Sequence, residues 1–156
     1  MTTKEFSYRD NVCCLLYQNE LFLLVQLVGW PDNWWKFVQG GIEEGESAVE
    51  AAARELQEEA GVENIRVIAE SQHRHQYDWS EDSVELAGHR WKGQIQRFLL
   101  VEYLGEKEGI KPNTEEVQQL RWMTTQDLLN SIDHDHPNFK GYRDSIEKVL
   151  SEFQKI

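Results

Sequence analysis

The chain has 156 residues, 40% of them hydrophobic and 28% charged, which suffices for one ordinary domain with a core and excludes a disordered chain. No apolar run approaches the roughly 20 residues of a membrane helix, and residues 1–10 lack the apolar segment of a signal peptide, so the expectation is a single cytoplasmic domain over residues 1–156 with no membrane partner. Sixteen basic residues against 28 acidic give a net charge of −12. Such a surface argues against a general nucleic-acid binder but suits a site of carboxylates around a hard cation.

In chain order, residues 11–17 and 21–28 read as two strands, with Gln18-Asn19-Glu20 as the hairpin between them. Cys13 and Cys14 are adjacent in the first strand. Neighbours on a strand point to opposite faces, so buried free thiols are expected rather than a disulfide. Residues 35–39 form a short strand ending at Gly40-Gly41. Residues 47–60 give the clearest helix: Ser47 with Glu50 makes a capping box, and Gly61 is a C-terminal stop. Its expected core stripe is Val49, Ala52, Leu56 and Ala60. A long strand follows over 65–77, then a polar loop over 78–90, a strand over 94–103, a turn-rich connection and a strand over 117–123. Thr124 can cap a helix reaching about Ile132. Phe139, Tyr142, Ile146, Val149, Leu150 and Phe153 fall on one helical stripe at the end of the chain. Strands interrupted by one central and one or two late helices predict a mixed sheet flanked by helices.

The chemistry concentrates in residues 40–62, which hold seven acids and one base. Glu55, Glu58 and Glu59 are three and four apart, and at about 100° per residue they share one helical stripe. Three carboxylates side by side repel one another. A solvated acidic face is the plain alternative, but a divalent cation held by carboxylate oxygens resolves the repulsion. Arg54 lies four residues from both Glu50 and Glu58 and can partly neutralise the stripe.

The segment Gly40-Gly-Ile-Glu-Glu-Gly-Glu46, followed by Arg54-Glu-Leu-Gln-Glu-Glu-Ala-Gly-Val62, resembles the Nudix box. All its specified positions match, with a chance probability on the order of 10⁻⁸ per starting position at average residue usage. The resemblance implies an α/β/α sandwich with a central mixed sheet. It also implies hydrolysis of a nucleoside diphosphate linked to another group, dependent on Mg²⁺ with Mn²⁺ as a substitute. It makes Glu55, Glu58 and Glu59 the metal ligands, with a backbone carbonyl near Gln39 or Gly40 as a further ligand. Glu46 supports the metal less directly.

Outside the box, Tyr8-Arg9, Asn11-Val12, Trp35-Lys36-Phe37, Gln39-Gly40-Gly41 and Gly93-Gln94, followed by Gln96 to Leu100, occur in order. Together with Glu116, Arg121-Trp122 and Phe139-Lys140 they look like the branch of dinucleoside polyphosphate hydrolases and RNA 5′-pyrophosphohydrolases. Val38 stands where that branch usually has Pro. The branch resemblance gives Glu116 a role at the metal or the attacking water, and Tyr77 a nucleotide contact. Phe139 can stack on a base. Lys140, Arg97 and Lys92 are candidates for phosphate contacts, and Trp35 and Trp79 for base contacts. Each also has a plain alternative as core or solvated surface. His73 with His75, and His134 with His136, lack partners at metal-site spacing.

The leading expectation is asymmetric cleavage of dinucleoside polyphosphates such as diadenosine tetraphosphate, a small-molecule substrate that the acidic surface repels less than a long RNA. Glu55, Glu59 or Glu116 would serve as general base. Removal of pyrophosphate from the 5′ end of triphosphorylated RNA is the alternative within the same chemistry. A nucleotide-sensing module without turnover is the alternative of another class, disfavoured because all the box glutamates are present.

Overall fold

The structure is a computed structural model that describes residues 7–155. Residues 1–6 and 156, the ends of the expected domain, lie outside the described residues. Strands β1 (Tyr8–Gln18) and β2 (Leu21–Leu27) meet in a two-residue turn where Asn19 and Glu20 both take positive φ, the geometry that matches the strand twist in tight hairpins. Next to the turn the pair is closed, Gln18 against Leu21 and Tyr17 against Phe22. Further along, β3 (Val38–Gly41) lies against β1, with Val12 opposite Gly40 and Asn11 opposite Gly41. Lys36 completes the link to β2 by bridging Val25.

Strand β4 (Ile65–Asp78) pairs antiparallel with β5 (Gly93–Tyr103), and β5 runs parallel to β1. Strand β6 (Val117–Met123) closes the other edge on β2. The result is a mixed six-stranded sheet in the order β4-β5-β1-β2-β6 with β3 on β1. Period-two alternation along β1 sends Val12, Cys14 and Leu16 to one face and Cys13 and Leu15 to the other. Both thiols are free and buried on opposite faces.

The first face is covered by helix α1 (Ala48–Glu55), which continues without a break into a π-helical turn over Leu56–Ala60. Ser47 caps α1 through the full capping box, and Gly61 ends the turn in the left-handed region. The stripe facing the sheet is Ala48, Ala51, Ala52, Leu56 and Ala60. Ala52, Leu56 and Ala60 are buried as expected, but Val49 is 47% exposed, because the buried arc of the first turns centres on Ala48, Ala51 and Ala52. The opposite face carries α3 (Thr125–Ser131) and α4 (Tyr142–Phe153), packed through Leu128, Tyr142, Ile146, Val149, Leu150 and Phe153. Burying such side chains contributes about 1.5–3 kcal/mol each. The layers therefore make the expected α/β/α sandwich.

Three details differ from the sequence reading. The third strand spans residues 38–41 rather than 35–39, since the glycines continue the ladder while Trp35 turns its indole N–H to Asp32 O. The polar loop after β4 contains a short helix α2 (Glu81–Leu86), capped by Ser80. Phe139 lies in a 3₁₀ turn (Pro137–Phe139) before α4 and not on its stripe, because Gly141 at φ 78° separates the two.

Candidate active site

β3 and the helix following it bring the acidic residues to one place. A β-carbon at Gly40 would stand 2.1 Å from Cδ of Glu55, so that carboxylate rests directly on the Gly40 backbone. Only glycine admits such an approach. Arg54 organises the neighbouring acids. Its Nε and Nη2 each hold one oxygen of Glu46 at 2.9 Å, and Nη2 also donates to Gly41 O at 2.9 Å. Its Nη1 donates to Glu55 at 2.9 Å and to Glu58 at 3.4 Å. Glu50 stays in the capping box with Ser47, so of the two acids expected around Arg54 only Glu58 is bonded to it.

The electrostatics follow from these contacts. The bidentate Arg54 pulls the Glu46 carboxyl down to about 2. Burial pushes Glu55 above the ordinary carboxylate range, the Arg54 bond opposes this, and the Glu59 and Glu58 charges add to the rise.

The π turn divides what the spacing had grouped. Glu58 keeps 59% of its side chain exposed, whereas Glu59 is turned inward and pairs with Lys36 Nζ at 2.7 Å. Lys36 and Glu59 are 5% and 6% exposed. An i→i+5 turn inserts one extra residue into the helical register, which separates the directions of residues 58 and 59 from those of a regular stripe. Among the described residues no three acid, histidine or cysteine side chains are gathered as a ligand set. The donor chemistry nevertheless fits a hard divalent cation: carboxylate oxygens of Glu55, Glu58 and Glu59, backbone carbonyls of β3, and the tight cradle at Gly40.

These groups border an open cleft of about 830 Å³. Its floor is polar: Gln39, Asn11, Lys36 and Glu59 line it. Gln96 donates to Asn11 Oδ1 and Gln39 Oε1, each at 3.0 Å, while its own Oε1 is buried with no hydrogen-bond partner among the described residues. One wall is aromatic. Trp30, His136 and Phe139 line the cleft and pack edge-on or tilted, with Phe139 4.9 Å from His136 and 5.6 Å from Trp30. Tyr77, with Trp79 and α2, forms another wall. Gln94 donates to the Tyr77 hydroxyl, and burial raises that phenol to about 12. Glu115 and Glu116 close a further side.

Of the residues singled out in the sequence, Gln39, Gly40, Glu59, Glu116, Tyr77, Phe139 and Trp79 line the cleft, and Arg54, Glu55 and Glu58 adjoin it at Gly40 and Gly41. Four others do not reach it. Trp35 is buried at 4% exposure within the α4-side core. Arg97 is held by both oxygens of Glu70 at 2.8 Å. Lys92 lies over the Tyr8 ring, in a small neighbouring cavity with Asp78, Glu81 and Glu85. Lys140 is exposed beside a separate cavity, and its carbonyl partners His75 Nε2 at 3.0 Å.

Three other histidines make local hydrogen bonds. His73 partners Ser145 Oγ, His134 partners Trp35 O, and His136 Nδ1 accepts from Asn138 N. Burial lowers all three imidazoles. Arg9, Lys36 and Trp30 are among the cleft residues given no role from the sequence. Arg9 and Lys36 stood inside the segments carrying the branch resemblance, but a lone base has no spacing rule that would mark it.

The NUDIX domain family model matches residues 7–145. An RNA pyrophosphohydrolase of Wolbachia pipientis subsp. Culex pipiens (strain wPip) is 30% identical, over 100% of this chain and 95% of that protein. One from Dinoroseobacter shibae (strain DSM 16493 / NCIMB 14021 / DFL 12) is 40% identical over 76% of this chain and 74% of its own length. Among solved structures, the Escherichia coli dihydroneopterin triphosphate pyrophosphohydrolase superposes with a TM-score of 0.67 at 20% identity, covering 93% of this chain and 99% of that one. A Caenorhabditis elegans Ap4A hydrolase binary complex gives 0.65 at 16% identity, covering 94% and 99%. With its box, its sandwich fold and these relatives, the chain belongs to the NUDIX family and is a hydrolase acting on phosphoanhydrides.

Proposed function

We propose that this hydrolase removes pyrophosphate from a nucleoside 5′-polyphosphate, that its substrate is the 5′ end of triphosphorylated RNA, and that Glu55, Glu58 and Glu59 hold its divalent metal. The observation that carries the RNA reading is a basic and aromatic edge beside the cleft. Arg9 lines the cleft and lies 5.2 Å from the centroid of Trp91, whose ring Arg90 also covers at 4.2 Å. Lys92 stands over Tyr8 at 5.0 Å. None of the three cations has a carboxylate partner among the described residues, whereas Arg54, Arg66, Arg74, Arg97 and Arg143 all do. Such cations beside half-buried rings suit a phosphate backbone with unstacked bases. The relatives named RNA pyrophosphohydrolase support the same reading.

A bound Mg²⁺ would supply charge neutralisation and Lewis-acid polarisation at the polyphosphate. The protein's own groups do the rest. Arg54 keeps Glu46 ionised and holds Glu55 against Gly40. The aromatic wall of Trp30, His136 and Phe139 receives a base. Glu116 faces the same cleft from the opposite side as a candidate to take the proton of the attacking water.

A second reading, cleavage of diadenosine tetraphosphate, is favoured by the cleft's two aromatic walls, one for each base, and by the net charge of −12. The test is a product assay with Mg²⁺ on both substrates side by side, with Glu55→Gln as control. Preferential pyrophosphate release from RNA is the expected result. Rapid formation of ATP and AMP with RNA nearly untouched would select the second reading. Full activity in Glu55→Gln would refute the ligand assignment.

A further inference from the structure

Of the four box acids singled out for the metal, three answer to Arg54 and Glu59 does not. Glu46, Glu55 and Glu58 all bond that guanidinium. Glu59 instead has Lys36, at 2.7 Å and almost wholly buried. The two cations are held very differently. Arg54 has its fork committed to Glu46, Glu55 and Gly41 O at once, a rigid planar arrangement. Lys36 has its backbone fixed by two hydrogen bonds to Val25, at 2.8 and 3.0 Å. Among the described residues its ammonium bonds Glu59 and, at 3.3 Å, Phe37 O, on a flexible four-carbon stem. Lys36 also lines the cleft.

We propose that Lys36 is a built-in counter-cation of Glu59, which holds the metal-free helix together and must be displaced before Glu59 can serve as a metal ligand. The inference rests on the reading of Glu59 as a ligand. A buried carboxylate without a cation is costly, so some positive charge has to stand beside Glu59 when no metal does. Ammonium and dication then compete for one carboxylate. The residual charge of Lys36 beside the site weakens metal binding further, since like charges interact strongly where water is excluded. Once displaced, the ammonium remains in the cleft, where its natural partner is an anionic polyphosphate. Metal and polyphosphate therefore favour each other's binding, and by linkage each raises the other's affinity equally.

The test is titration of the full chain with Mn²⁺ alone, following free Mn²⁺ by electron paramagnetic resonance, in the wild type, Lys36→Gln and Glu59→Gln. Lys36→Gln keeps a hydrogen-bond donor for Glu59 and removes the charge. It is expected to bind Mn²⁺ about tenfold more tightly, and Glu59→Gln more weakly. Equal or weaker binding by Lys36→Gln, with Glu59→Gln weakened, overturns the inference and leaves Glu59 a ligand. Unchanged binding by Glu59→Gln overturns the ligand reading and the inference with it. A measurement on the wild type guards against a variant that fails to fold: the ¹⁵N signal of the Lys36 ammonium, followed as Mg²⁺ is added. It should move and its protons should exchange faster, and a signal unmoved at saturating Mg²⁺ overturns the inference.

Discussion

The atoms nearest a methyl group at residue 40 would be the carboxylate end of the flexible Glu55 side chain, 2.1 Å away. Gly40→Ala should therefore fold, with a stability change of about 1 kcal/mol or less, while Glu55 moves off β3. Because a misplacement of about 1 Å at a reacting site can cost a hundredfold, turnover is expected to fall by about that factor with the melting temperature nearly unchanged. Glu46 gives a different signature. Its carboxyl is depressed in the fold to about 2 from an ordinary 4.5, so the Arg54 pair stabilises the protein above the unfolded value and loses that contribution as pH falls from about 5 to about 2. After allowance for solvent screening the contribution is about 1–2 kcal/mol at neutral pH. Urea unfolding should show Glu46→Gln less stable than wild type by that amount at pH 7, with the two converging near pH 2.

The central helix was the most legible element because its signals are local: the Ser47–Glu50 box, the alanine-rich interior and Gly61 lie within 15 residues of sequence. Its π turn was not, because the extra residue is stabilised by what Glu59 and Leu56 meet across the fold, Lys36 and the sheet. Helix α2 was missed for the opposite reason: with Leu86 90% exposed and no buried residue, it has no apolar periodicity to read. Gly61 marks the helix end twice over. Its φ is 69°, and a β-carbon there would stand 2.1 Å from the backbone oxygen of Lys111. Unlike a carboxylate tip, that backbone cannot yield cheaply. Gly61→Ala is expected to cost about 2–4 kcal/mol, read as a lowered denaturant midpoint, in contrast to the mild effect of Gly40→Ala.

For the whole molecule, two charge scales oppose each other. The net −12 repels a polyanion at long range, and the edge of Arg9, Arg90 and Lys92 attracts one at contact. Added salt screens both within about 10 Å at 0.1 M, and contacts that release condensed counterions weaken steeply with it. If the edge carries the RNA, kcat/KM on triphosphorylated RNA should fall as KCl rises from 50 to 200 mM. The double substitution Arg90→Ala with Lys92→Ala should flatten that slope. A rate that climbs with salt would instead mean that the net charge governs the encounter.

The box, the capping signals and the strand alternation sit in contiguous residues, and so the sequence alone determined the family and the sandwich and marked the acidic helix as the candidate centre. Distances between remote segments are not written in any spacing. Only the tertiary structure decided that β3 enters beside β1, that Arg54 gathers Glu46 and Glu55, and that Lys36 pairs with Glu59. It likewise sent Trp35 to the core and bound Arg97 to Glu70. A lone cation takes whichever anion the packed chain leaves nearest, and that choice is made by the fold as a whole.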